Sequence, residues 1–248
     1  MSRLLASEFR RFRSRRLVKA LVALELLAIV ATGVIVVLTQ EYDLVGLPDV
    51  LMGTSLVLVS IAWMLGASAI GADWHTGHVT TILTWEPRRG RVMLAKIATS
   101  LASVFVVSLV IQALLGVALA AAAAGAGSTA GADAAWLAET AGVALRVALL
   151  STIFAGFGFG LASAGRNTAV ALGVGFGYLV IVENLVRGLR PQWTPWLLTE
   201  NAGLFIVDSP IDFPLLARST VGAGLYLAAV GAVLLLVASG LFRTRDVN

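Results

Sequence analysis

Six stretches of this sequence, at 17–38, 50–72, 92–122, 138–164, 168–187 and 216–241, are apolar for about the 20 residues that a helix needs to cross a bilayer. No other feature constrains the fold as much, because a chain inside lipid must satisfy its own backbone hydrogen bonds. The runs show no two-residue alternation, which excludes a barrel. With 58% hydrophobic residues and 13% charged ones, the expected fold is a single all-α integral membrane domain of six transmembrane helices spanning residues 1–248. The third and fourth runs exceed one perpendicular crossing, so tilt or an overhang is expected.

Six crossings bring both termini to one side, and the basic residues indicate which side. Fourteen of the 18 Lys and Arg fall before the first run or at its start (Lys19), between the second and third or at the start of the third (Lys96), at Arg166, or after the last. The opposite loops carry Glu41, Asp43, Asp49, Asp133, Glu139, Glu200, Asp208 and Asp212 against Arg187, Arg190 and Arg218. By the positive-inside rule both termini are expected in the cytoplasm, in the cell membrane. The basic residues flank apolar runs, so lipid phosphate explains them and a nucleic-acid partner does not. The first 20 residues have no small-residue cleavage site after the basic segment and are expected to remain. Without cysteine there are no disulfides or thiolate sites.

Residues 1–16 place Leu5, Phe9 and Phe12 on one helical stripe with Arg10, Arg11 and Arg13 beside it. That pattern suits an amphipathic helix lying in the membrane interface; a plain orientation signal is the simpler reading. The second-to-third connection, residues 73–90, is more unusual. Asp73 closes the second run, followed by Trp74, His75, Gly77 and His78. Val79, Ile82 and Leu83 share a helical face, Pro87 stops the helix, and Arg88, Arg89 and Arg91 lead into the third run. A short helix held between two spans is suited to docking in another protein's groove, and the competing reading is a re-entrant turn that touches only lipid.

In that order, an acidic residue, a Gly, an apolar pair, a Pro-Arg element and a Lys at 96 resemble the second cytoplasmic loop of the membrane subunits of ABC exporters of the type-2 permease class. Asp stands where Glu is usual, and His78 where Thr is expected. A basic N-terminal helix, six spans, an external segment (188–215) and the Arg245–Asp246 ending are similar to that family along the whole chain. The resemblance implies a permease that works as a dimer, either a homodimer or a pair with a second permease. It also implies that residues 73–90 form a coupling helix, with Asp73, Trp74, His75, Gly77, His78, Val79, Ile82, Leu83, Pro87, Arg88 and Arg89 binding a separate ATP-binding subunit. That partner would hold ATP and Mg, and this chain no cofactor.

The residues agree that any ATPase lies elsewhere. The only lysines, Lys19 and Lys96, follow RRLV and VMLA and not a Gly-rich phosphate loop. Glycines 156–165 and 173–177 lie inside spans, where small residues let helices approach. His75 and His78, the only histidines, sit at the membrane edge, too few for a zinc site and too shallow for an intramembrane protease, so no catalytic or metal residue is expected. Three charges fall inside spans: Glu25, Arg146 and Glu183. Arg146 and Glu183 share the outer half and are expected to pair, while Glu25 is expected to face a cavity, a helix interface or a second protomer. The alternative function is a six-span solute-binding or secondary-transport subunit that needs no such ATPase.

Overall fold

A computed structural model describes residues 2–39, 42–209 and 215–245. Glu41, Asp212 and Asp246, used above for charge balance and family likeness, lie outside the described residues. Among these there is no β-strand, only an isolated bridge between Asp43 and Ser128.

The helices are α1 (Ser2–Ser14), α2 (Arg16–Thr39), α3 (Leu47–His75), α4 (His78–Trp85), α5 (Arg89–Ala126), α6 (Ala134–Gly165), α7 (Thr168–Gly177), α8 (Glu183–Leu189), α9 (Leu198–Val207) and α10 (Thr220–Thr244). Short 3-10 segments precede α3 (Leu44–Gly46) and α9 (Pro191–Trp196), and a π turn (Tyr178–Val182) joins α7 to α8 as one rod. Six of these rods are long and apolar enough to cross a membrane: α2, α3 with its 3-10 lead, α5, α6, α7 through α8, and α10. They overlap the six apolar runs, with ends shifted by a few residues.

Local chemistry sets those ends. Asp133 accepts from Trp136 N (2.9 Å), Asn167 from Ala169 N (2.7 Å) and Ser219 from Gly222 N (3.2 Å), each capping the helix that follows. Pro48 opens α3, where its missing N–H costs nothing. Gly77, at φ 67°, turns the chain from α3 into α4, a left-handed conformation that most side chains resist.

The centre of the bundle is α6, the most buried span, packed mainly on α3 and flanked by α10, α5 and α7. Close approach requires glycine there. A Cβ on Gly158 would overlap Trp63 O, and one on Gly66 would overlap Ala155 O. On α7, a Cβ at Gly175 would strike the Trp63 ring, whereas Gly173 and Gly177 have open space. The packing role expected of the two glycine runs thus holds at some positions only. Trp63 is also edge-on to Phe154 and Phe157 at 5.8 and 6.0 Å.

The least buried span is α2, which packs on α5 and barely on α3. Leu24, Leu27, Val30, Val34 and Leu38 leave a broad apolar face exposed on it.

Candidate functional site

The end of the bundle that holds α1, α4 and the last turn of α10 carries a buried ion network. Asp73, in the last turn of α3, accepts from Lys96 Nζ at 2.5 Å and Arg15 Nη2 at 2.9 Å, with Arg11 at 3.8 Å. Lys96, only 2% exposed, also donates to Glu8 Oε2 at 2.9 Å. Arg15 further donates to Ser68 O and, at 3.0 Å, to Ala69 O. Three cations and two carboxylates thus bind α1 to α3 and α5. Dense mutual hydrogen bonding is the condition under which burying charge is tolerated.

The sequence stripe Leu5–Phe9–Phe12 describes only part of α1. Phe12 is buried, but Phe9 is half exposed, and Glu8 joins Phe12 in the protein-facing surface. Periodicity of apolar residues alone could not reveal a buried carboxylate whose partner stands 88 positions away.

Beside the network, α4 lies across the gap between α3 and α5. Val79 is buried (1% exposed), and Leu83 and Trp74 are half-buried against the core. Trp74 meets Phe242 edge-on at 5.8 Å, with the Arg166 guanidinium 4.8 Å above its ring. Arg89 donates to Arg243 O and Arg245 O at 3.2 and 2.7 Å, tying the start of α5 to the chain's last described turn. Glu86 pairs with Arg91 at 3.3 Å. The outward surface consists of His75, Thr76, Gly77, Thr80, Thr81, Thr84, Trp85, Pro87 and Arg88.

The structure turns the apolar side of α4 toward the bundle. Val79 points inward, Ile82 and Leu83 are half-buried, and Trp85 is 87% exposed. The apolar trio suggests an outward face, but a short helix against a bundle buries its own apolar stripe first. His78 is half-buried with Nε2 unpartnered. Burial, then the Arg11 guanidinium, holds its imidazole below the usual histidine range. Among the described residues, no three His, Cys, Asp or Glu cluster as a metal site would need.

The expected Arg146–Glu183 pair is not formed. Arg146 binds Asp208, the left-handed residue that ends α9 (φ 58°), which also accepts the Thr220 hydroxyl. Those two hydrogen bonds and the Arg146 cation hold the Asp208 carboxyl below its usual range, with the Thr220 bond the largest cause. Glu183 is fully buried and accepts from Leu198 N (2.7 Å), Thr199 N (3.2 Å) and the Thr199 hydroxyl, with Arg187 3.6 Å away. Leu198 and Thr199 are the first residues of α9, whose N-cap, Leu197, has no capping side chain. Glu183 therefore caps a helix from outside it, where orphan N–H groups and the helix dipole attract a carboxylate. Depth alone suggests the pair; the unsatisfied start of α9 decides otherwise.

At that same end, Arg218 stacks on Trp196 (4.9 Å) and Tyr226 (4.3 Å) and donates to Asn201 Oδ1 at 2.9 Å, fastening α9 and its 3-10 lead to α10. Below it, α3, α6, α7 and α9 line a half-open apolar cavity of about 470 Å3 bordered by Trp63, Phe154, Phe176, Thr199 and Ile206. Glu25, 7% exposed, lies apart from both ends, in a smaller cavity between α2, α3 and α5. The place is at once a cavity and an interface of three helices.

No family model and no curated protein matches this chain.

Proposed function

We propose that the chain is the membrane subunit of an ATP-driven exporter of the type-2 ABC class, lying in the cell membrane with both termini in the cytoplasm. In this reading two copies form the pathway, and a separate ATPase, carrying ATP and Mg, docks on α4. The observation that carries it is the build of α4. An eight-residue helix bridges two long spans, its inner face is fixed to them, and its outer face ends in an exposed Trp85. A connection that only reversed the chain would need a few residues and no such face.

The coupling would run through packed contacts. A push on Thr81, Thr84 and Trp85 is borne by Val79 and Leu83 against the core, and by the Asp73–Lys96 bond that joins α3 to α5. Rigid rods carry displacement along their length, so the far ends of α3 and α5 would move with it. The cavity of about 470 Å3 lined by Trp63, Phe154 and Phe176 is the candidate cargo surface, and its walls favour an apolar or amphiphilic molecule. In the same reading α1 lies in the membrane interface, with Phe9 in the acyl boundary and Arg10 and Arg13 toward phosphate.

The test is purification of the tagged protein in mild detergent together with its ATP-hydrolysing partner, and again with Trp85→Asp and Thr81→Asp. Loss of the ATPase from well-folded variants is the expected result. A well-folded wild-type protein that never retains an ATPase would overturn the reading in favour of a subunit that binds solute alone.

A further inference from the structure

Between α2, α3 and α5 lies a cavity of about 130 Å3 whose walls are almost wholly aliphatic: Ile29, Val57, Leu58, Ile61, Ile111 and Leu115. Glu25 borders it nine residues after the start of α2, roughly 14 Å along the helix at 1.5 Å per residue, which is near mid-bilayer. Its Oε1 is buried with no hydrogen-bond partner. Gln112, 2% exposed, reaches the same cavity, and its Oε1 is likewise buried and unpartnered.

The remaining polar groups sharpen the chemistry. Gln112 Nε2 donates to Ala144 O at 2.9 Å, which fixes the orientation of the amide. Thr32 Oγ1 donates to Ala28 O and Thr54 Oγ1 to Leu51 O, each at 2.9 Å. The Thr32 and Thr54 hydroxyls and one N–H of Gln112 are therefore spent within the protein, and the unsatisfied atoms of Glu25 and Gln112, which border the cavity, are acceptor oxygens, one of them a carboxylate's. Buried polar atoms are rarely left unsatisfied, and a lone carboxylate at membrane depth is costly. The missing complement is a positive group that brings its own N–H donors.

We propose that this cavity binds an organic ammonium, a primary or secondary amine with a short apolar tail, whose N–H groups donate to Glu25 and Gln112 while its carbons lie on the aliphatic wall. The volume is on the order of four water molecules, room for an ammonium and a few methylenes. An inorganic cation would find, besides these two oxygens, only the Thr32 and Thr54 hydroxyls among aliphatic walls, fewer ligands than a hard cation takes. Entry is lateral: α2 barely touches α3, so the cleft between them opens toward the acyl layer. The site stands on its own geometry and requires no ATPase on α4.

The test uses the purified protein in nanodiscs of zwitterionic lipid at pH 7, titrated calorimetrically with n-butylamine and with its neutral counterpart 1-butanol, empty nanodiscs serving as the blank. The expected result is binding of the amine at least tenfold tighter than that of the alcohol. That preference should vanish in Glu25→Gln, while Ala28→Leu, which fills the space without altering a polar group, should weaken both ligands. Equal affinity for amine and alcohol, an undiminished preference in Glu25→Gln, or unchanged binding in Ala28→Leu would each overturn the proposal. Sodium displacing the amine one for one would overturn it in favour of an inorganic-cation site. Should Glu25→Gln not fold, the wild-type comparison and Ala28→Leu decide.

Discussion

Asp73→Asn tests the ion network most directly, since it removes one charge and almost no volume. In the native protein that carboxylate faces Lys96 at 2.5 Å and Arg15 at 2.9 Å, and Lys96 is 2% exposed, so water cannot replace what is lost. Lys96 and Arg11 would then share the single carboxylate of Glu8, and Arg15 would keep only the Ser68 and Ala69 carbonyls. Removing one partner of a buried pair costs about 3–5 kcal/mol, whereas a surface pair is worth about 0–1. The Arg11 contact, at 3.8 Å with the side chain a third exposed, belongs with the weak class and adds little. For a chain of this size the loss corresponds to roughly 6–20 °C in the unfolding midpoint, read by thermal unfolding in detergent at pH 7. Asp73→Asn combined with Lys96→Met removes both charges and should recover at least half of the loss, because the stranded cation has gone. A single-variant cost below about 1 kcal/mol, or a double variant whose cost is the sum of the two singles, would refute the argument that Lys96 depends on Asp73.

Three further outcomes follow from contacts described above. Glu183→Gln should cost about 2 kcal/mol, since the cap loses its charge-assisted bonds, and should raise hydrogen exchange at the amides of Leu198 and Thr199; unchanged exchange there would contradict the capping role. Gly158→Ala should destabilise by at least about 1–3 kcal/mol through the contact with Trp63 O, while Gly173→Ala, with open space around it, should be neutral or stabilising by a few tenths; equal effects at the two positions would refute the close-packing account. His78 is held below its ordinary range, so the unfolded chain takes up a proton first as the pH falls through about 6.5. Stability should therefore decline on acidification from pH 7 toward the lower folded-state value, and His78→Gln should flatten that part of the curve; a wild-type curve that rises on acidification would reverse the sign.

The six long helices are legible in the sequence because each is a continuous apolar run bounded by charge, a signal that needs no tertiary information. The short helix at 78–85 is equally plain, set between Gly77 and Pro87. Its facing is not legible. Val79, Ile82 and Leu83 mark an apolar side, but a sequence does not say whether that side meets the bundle or a partner. The ion network is hidden for a similar reason: Glu8, Asp73 and Lys96 each read as an isolated charge near a span end, and only the fold brings both carboxylates within 3 Å of Lys96. The misassigned Arg146–Glu183 pair shows the limit of depth as a guide. Two opposite charges stand at one level, yet the unsatisfied amides of α9 hold the stronger claim on Glu183. At Glu25 the reverse applies, for a carboxylate inside an apolar run demands a partner or a cavity on sequence grounds alone.

The π turn at Tyr178–Val182 governs which way the fifth span faces. Gly175 and Glu183, eight residues apart, are both buried, one beneath Trp63 and the other under α9. In an uninterrupted α-helix, eight steps of about 100° would leave them about 80° out of phase, and one of the two would turn outward. The widened turn absorbs roughly one residue, so that the pair lie about 20° apart, as seven α-helical steps would place them. Val180, Ile181 and Val182 face outward instead. A single surplus residue thus works as a phase corrector, letting one rod serve two clients that a regular helix could not satisfy together.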